Sequence, residues 1–195
     1  KSFLYGTIQT GDNMIEIIEK YIQQNKQKVI AIDGPSGAGK STLAKRLEEM
    51  FDVLVIHTDD YFLHPLKKTE SRLDEPGGNI DYERLNKEVF SNLNEEYITS
   101  NFFNCQTNKL EDRDPIKNRS IIIVEGVYSL HPRFEKYYDY KVFLDIDRTT
   151  QLERILARSS EKLLTRFIDE WIPLEDKYFK EFNLRNTVDL YIDNY

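Results

Sequence analysis

Val29 to Met50 reads VIAIDGPSGAGKSTLAKRLEEM, and this stretch decides the fold. Val29 to Ile32 is a short apolar, β-branched run that suits a buried strand, and Thr42 to Met50 is a helical stretch. Between them, GPSGAGKS from Gly34 to Ser41 fits G-x-x-x-x-G-K-[ST], the pattern of a phosphate-binding loop in its strand-loop-helix setting. Gly34, Gly37 and Gly39 permit backbone angles and a close approach that side chains would block, so the loop from Gly34 through Pro35, Ser36 and Ala38 can turn its N–H groups toward one anion. Lys40 adds a flexible point charge for the β and γ phosphates, Ser41 a hydroxyl for Mg²⁺, and the helix opening at Thr42 its dipole. Each element serves a nucleoside triphosphate.

Outward from this loop, Val53 to Ile56, Ile121 to Val124, Val142 to Ile146 and Val188 to Ile192 repeat the short buried-strand pattern. Helical patterns mostly separate them. Leu43, Leu47 and Met50 line one, Leu85, Val89 and Leu93 another, and Leu163, Phe167 and Trp171 a third that Pro173 should kink or split. Ahead of the loop, Asn13 and Glu16 suggest the start of a helix whose apolar face carries Met14, Ile17, Ile18, Tyr21 and Ile22. The expected architecture is α/β: a five-stranded parallel sheet flanked by helices in three layers, the P-loop NTPase arrangement, as a single domain over residues 1–195. Residues 94–118 break the alternation and read as a hairpin insertion turning at QTNK, while Glu75 to Asn79 reads as a loop. The chain does not begin with Met, so residues 1–10 are expected to be disordered or an engineered end.

Composition excludes several classes of function. With 39% hydrophobic and 31% charged residues in 195, the chain suits a compact domain with a real core. A formal net charge of −7 disfavours nucleic acid and anionic membrane surfaces, which need a clustered positive field. Cys105 stands alone, so no internal disulfide forms, and no stretch reads as a membrane span or secretion signal; a cytoplasmic location is the expectation. His57, His64, His131 and Cys105 lack zinc-ligand spacing, and no transition-metal site is expected.

Open parallel α/β sheets collect ligands beyond the carboxyl ends of their strands, so the residues just past each strand are candidates. Asp59 and Asp60 follow the second strand: either can orient and deprotonate an attacking hydroxyl, or both are solvated loop acids, and only one can point at a substrate comfortably. Glu125 follows IIIV and suits either Mg²⁺ or a basic neighbour. Thr150 and Glu153 form a capping-box signature for a helix carrying Arg154 and Arg158, whose mutual repulsion a polyphosphate would offset, with Arg166 as a third contributor. The alternative is that these arginines are solvated and paired with Glu153 or Glu161. Asp81 either caps the following helix or touches substrate. Tyr61, Phe62, Phe102, Phe103 and Tyr128 either stack on a planar substrate or fill core, and core is the commoner role.

With the loop, TDDYF at Thr58 to Phe62, IIIVEGVYSL at Ile121 to Leu130 and the arginine helix in view, the chain resembles the uridine kinase and phosphoribulokinase family of P-loop kinases from about Val29 to Asp193. The resemblance implies that Asp59 is the general base near magnesium and that Ser41 and Glu125 are metal-associated. It also implies that Arg154 and Arg158 belong to a lid helix closing over the transferring phosphate, that Arg185 lies near the adenine, and that Asp81 lies near an acid that contacts sugar hydroxyls. A homo-oligomer is a further family-level expectation. The stretch Phe103, Asn104, Cys105, Gln106 lacks the histidine that uridine kinases carry there, and Gln151 stands where a lid arginine is common.

Taken together, the sequence reads as a Mg²⁺-requiring, ATP- or GTP-dependent kinase of a small-molecule acceptor, a nucleoside such as uridine or cytidine. Asp59, Lys40, Arg154 and Arg158 would carry the chemistry, and Asp59, Tyr61, Asp81, Phe103, Tyr128 and Arg166 would form the acceptor side. The alternatives are another hydroxylated metabolite of pantothenate or sugar type, or a catalytically silent nucleotide-binding module.

Overall fold

The computed structural model describes residues 11–104 and 107–193; the expectations for residues 1–10 and for Cys105 lie outside them. Among the described residues, five strands make one parallel sheet: β1 (Lys28–Asp33), β2 (Val53–His57), β7 (Ile121–Glu125), β8 (Tyr140–Leu144) and β9 (Leu190–Ile192). Their order is β2-β7-β1-β8-β9, so the strand that feeds the phosphate loop lies in the middle. β1 pairs with β7 through Ile30↔Ile123 and with β8 through Ile32↔Val142. Alternate side chains enter opposite layers, because a strand's side chains alternate between the two faces of its sheet.

Ile30, Ile32, Ile121, Ile123, Val142 and Leu144 pack on one face beneath α1 (Gly11–Gln24) and α2 (Lys40–Met50), which contribute Ile15, Ile18, Ile22, Leu43, Ala44 and Leu47. Ala31, Leu54, Ile56, Ile122, Val124 and Phe143 face the other layer, where α4 (Tyr82–Glu88) and α7 (Ile172–Glu181) bring Leu85, Tyr178 and Phe179. Each fully buried Leu, Ile or Phe contributes about 1.5–3 kcal/mol, and with both faces covered the strands read as continuous apolar runs.

Several boundaries differ from expectation. α1 already runs from Gly11, so Asn13 is inside the helix rather than its cap, and the buried stripe is Ile15, Ile18 and Ile22, with Ile17 and Tyr21 packed at its edge. Met50 is exposed although it shares a helical face with Leu43 and Leu47, since α2 ends at it. α4 is shorter than its apolar pattern: Val89 is its C-cap, and a 3₁₀ turn, Phe90–Asn92, follows. The strand expected over Val142 to Ile146 is Tyr140–Leu144, because Asp145 turns its carboxylate to Arg185 and Tyr191. The last strand is trimmed to Leu190–Ile192 by a preceding 3₁₀ turn, Leu184–Asn186.

Pro173, expected to kink or split its helix, is instead accommodated by a π-helical turn in a continuous helical run. α5 (Arg148–Arg158) and α6 (Glu161–Arg166) are followed by a π-helical turn, Phe167–Trp171, and only then by α7, with the proline in its first turn. A proline cannot donate to the carbonyl four residues back and its ring crowds that carbonyl, so the helix widens just before it. Residues 94–118 fold as two nested antiparallel ladders, β3 (Tyr97–Ile98) with β6 (Ile116–Lys117) and β4 (Phe102–Asn104) with β5 (Lys109–Glu111). A short α3 (Glu70–Asp74) precedes the loop at Glu75 to Asn79. No helix among the described residues is long and apolar enough to cross a membrane.

Candidate active site

Two glycines fix the backbone around the site. At Gly34 φ is +143°, and a Cβ there would sit 1.9 Å from the Leu144 carbonyl oxygen. At Gly126 φ is +130°, and a Cβ would meet the Thr58 hydroxyl at 1.9 Å. The first lets the loop leave β1 beside β8; the second lets the end of β7 lie against the turn that carries the acids. Asp33, fully buried at the end of β1, ties these parts together. One carboxylate oxygen accepts the Gly34 N–H at 2.7 Å, and the other accepts the Leu130 N–H at 2.9 Å and the Tyr178 hydroxyl at 2.8 Å. Burial pushes its carboxyl up to about 6, although those bonds and Lys40 pull the other way.

The motif's lysine turns back over its own loop. Lys40 is buried, and its ammonium donates to the Gly34 and Pro35 carbonyls at 2.8 and 2.9 Å, spanning the loop. A cavity of about 90 Å³ opens beside it, lined by loop residues Ser36, Gly37 and Gly39, by Ser41 and Thr42, and by Asp59, Glu125 and Arg158. On its outer side, Arg154 and Arg158 line a second hollow against Gly37, Gly39 and Thr42, and Arg154 donates to the Gly37 carbonyl at 3.3 Å. The two arginines therefore stand over the loop.

The two acids past β2 separate cleanly. Asp60 pairs with Arg113 of the insertion at 3.0 Å, and its carbonyl accepts from Arg84. Asp59 has no hydrogen bond or ion pair among the described residues and is open to the cleft. Desolvation raises its carboxyl above the usual range; Lys40 opposes this and Glu125 adds to it.

The donors fit magnesium. Glu125 is 3% exposed; one oxygen takes the His57 Nδ1 donor at 2.5 Å, and the other is buried without a partner among the described residues. Such an orphaned oxygen costs about 1–3 kcal/mol, which a cation would relieve. The bond to Glu125 raises the His57 pKa against its desolvation. No cluster of three or more His, Cys, Asp or Glu that would cage a metal occurs among the described residues. Magnesium suits this sparser all-oxygen set, because it keeps waters and shares substrate phosphates. Ser41, Asp59 and Glu125 would hold it.

Asp59 also lines a larger pocket of about 460 Å³, walled by the rings of Phe62, Phe103, Tyr128, Phe167 and Trp171 and reached by Asn79, Glu175, Arg158 and Arg166. Phe103 and Tyr128 are thus where a planar acceptor would meet them. Arg166 lies at this pocket instead of over the phosphates, paired with Glu170 and stacked 4.7 Å from the Trp171 ring centre.

Other expectations are corrected. Tyr61 is fully buried, its hydroxyl on Ser100 at 2.7 Å and Arg84 over its ring, so it is core and lines none of these cavities. Asp81 caps α4 through the Arg84 N–H and pairs with Lys67 at 2.7 Å; it lines none of these cavities. The placement of Arg185 near an adenine is not among these corrections and stays a proposal; Arg185 binds Asp145 and packs over Phe143. Phe102 lies under Arg113, outside the pocket. The cap of α5 is Asp147, which accepts the Thr150 N–H at 3.0 Å, and not Thr150.

Glu175 and Asn79, on the pocket lining, and Asp33, under the loop, are positions that motif reading missed. Glu175, 4% exposed, accepts both the Ser36 N–H, at 3.0 Å, and the Ser36 hydroxyl, at 2.5 Å. Desolvation raises its carboxyl, and the Ser36 bonds lower it. The available signal was an acid in phase with the buried face Ile172, Tyr178 and Phe179 of α7.

Comparison with known proteins finds kinases among those this chain is similar to. A sequence family described as an AAA domain matches residues 30–172. A uridine kinase of Clostridium perfringens is 25% identical over 166 residues, 76% of this chain and 79% of its own length. A phosphoribulokinase of Synechocystis is 26% identical over 146 residues, 70% of this chain and 43% of its own length. Among solved structures, a protein described as a possible uridine kinase from Bacillus stearothermophilus superposes with a TM-score of 0.71 at 23% identity, covering 93% of this chain and 98% of that one.

Proposed function

The chain belongs to the AAA-domain family, and to the uridine kinase and phosphoribulokinase family of P-loop kinases that phosphorylate hydroxyl acceptors, and on that premise we propose that its acceptor is a nucleoside such as uridine or cytidine and its donor ATP or GTP. One observation carries the reading: Asp59, the acid without an ion pair, lines both the phosphate-loop cavity and the ring-walled pocket. An acceptor in the pocket would thus present its hydroxyl between that carboxylate and a γ-phosphate on the loop. Asp59 accepts the hydroxyl proton as the oxygen bonds to the γ-phosphorus. The bond to the bridging oxygen breaks, and its electron pair leaves with the nucleoside diphosphate. Lys40, Arg154 and Arg158 neutralise charge on the moving group. Magnesium, when bound, would withdraw charge from the β and γ oxygens.

A second reading, a hydroxylated metabolite that is not a nucleoside, is favoured by Asp81: tied to Lys67, it does not reach the pocket to meet a sugar. Incubation with γ-labelled ATP and a panel of nucleosides, pantothenate and sugars decides between them. Label on uridine or cytidine is the expected result. Label on another acceptor supports the second reading, and tight ATP binding with no labelled acceptor makes the chain a silent nucleotide-binding module.

A further inference from the structure

Ser36, the third residue of the phosphate loop, is held from two sides. Its N–H and hydroxyl both donate to Glu175 on α7, and its carbonyl accepts from the Gln151 amide on α5 at 2.9 Å. Arg148 closes the ring: it donates to the Gln151 oxygen at 2.7 Å and to Asp176, next to Glu175, at 2.5 Å. These two helices are the roots of the segment between them, which carries Leu163, Arg166, Phe167 and Trp171 onto the wall of the larger pocket. Trp171 lies one helical turn before Glu175.

We propose that Glu175 is a positioning residue that couples occupancy of the phosphate loop to the shape of the acceptor pocket, acting through Ser36; the inference rests on the phosphotransfer reading above. Both oxygens of a buried carboxylate are committed to one loop residue, so the start of α7 and the loop move together or those bonds are lost. Lys40 is close enough to favour the charged form of Glu175, and a polyphosphate entering the loop competes for Lys40 and repels the same carboxylate. That gives the ligand a differential effect on the Ser36–Glu175 contact, which any conformational response requires. The response emerges at the ring wall formed by Phe167 and Trp171, and it prepares the pocket before an acceptor arrives.

Trp171 is the chain's single tryptophan and reports on that wall directly. The experiment titrates the protein with magnesium and a non-hydrolysable ATP analogue, following Trp171 emission and, in parallel, binding heat by calorimetry. The wild type is expected to change emission in step with binding. Glu175→Ala and Glu175→Gln are expected still to bind, since Lys40 and the loop amides other than Ser36 keep their places, but Ala loses most of the emission change and Gln, which keeps one acceptor for Ser36, retains an intermediate part. A full emission change in the variants overturns the coupling alone, as does wild-type binding without any change. Absence of binding heat in the wild type overturns the nucleotide reading and this inference with it.

Discussion

Asp59 and Asp60 stand side by side in sequence, and their partners tell them apart. Arg113 neutralises Asp60, while Asp59 is left with a raised carboxyl facing two cavities. Asp59→Asn is expected to keep nucleotide affinity and to lose about 10²–10⁴-fold in turnover, the usual worth of a positioned base. Because the proposed base would act deprotonated, activity should fall as pH drops through its raised pKa. The acid limb of the pH–rate profile should therefore lie above the range of an ordinary aspartate and vanish in the Asn variant. Asp33 makes a separate, structural prediction. Its folded value of about 6 exceeds the ordinary 3.8, so its contribution to stability is fullest below about pH 4 and is lost as pH rises through 6. The difference amounts to ~3 kcal/mol. Urea unfolding of wild type and Asp33→Asn across that window should show the slope in the first and not in the second. Lys40 and Ser41 were legible as candidates because a local motif fixes where they stand on the loop. Glu175 was not, because its partner Ser36 lies 139 positions away.

At the scale of elements, the buried strands were readable because both faces of the sheet are covered, which leaves an unbroken apolar signature in Ile121 to Val124 and Ile30 to Ile32. Helix ends were less so. Thr150 and Glu153 satisfy the capping-box spacing, yet Asp147 lies three residues earlier and its carboxylate takes both the Thr150 N–H and the Thr150 hydroxyl. A charged acceptor wins the cap over a hydroxyl that can itself donate. Asp147→Ala should cost about 0.5–2 kcal/mol in thermal or chemical unfolding, and Thr150→Ala clearly less. The π turn at Phe167–Trp171 follows the same logic: Pro173 announces a break, but whether the chain kinks, splits or widens depends on what the widened turn packs against. Here Phe167 and Trp171 are carried onto the pocket wall, so residues that looked like a core stripe line a cavity instead.

At the scale of the molecule, strand order does the assembling. β1 lies between β7 and β8, so the phosphate loop, Glu125 and Arg154 converge at one end of the sheet although they are far apart in the chain. Pattern reading gave a parallel sheet but could not order its strands, since any of these apolar runs would tolerate any neighbour. Nor could it dock the insertion. Arg84 performs that task, donating to the Asp60 and Asn101 carbonyls and pairing with Glu88, so the turn bearing the acids and the nested hairpins form one unit. The account depends on where a triphosphate binds. A crystal structure of the protein with a non-hydrolysable ATP analogue and magnesium tests it most directly: the phosphates should lie on the Gly34 to Ser41 loop beside Lys40, with the terminal one directed at Asp59. Phosphates bound elsewhere, or a terminal group turned away from Asp59, would contradict it.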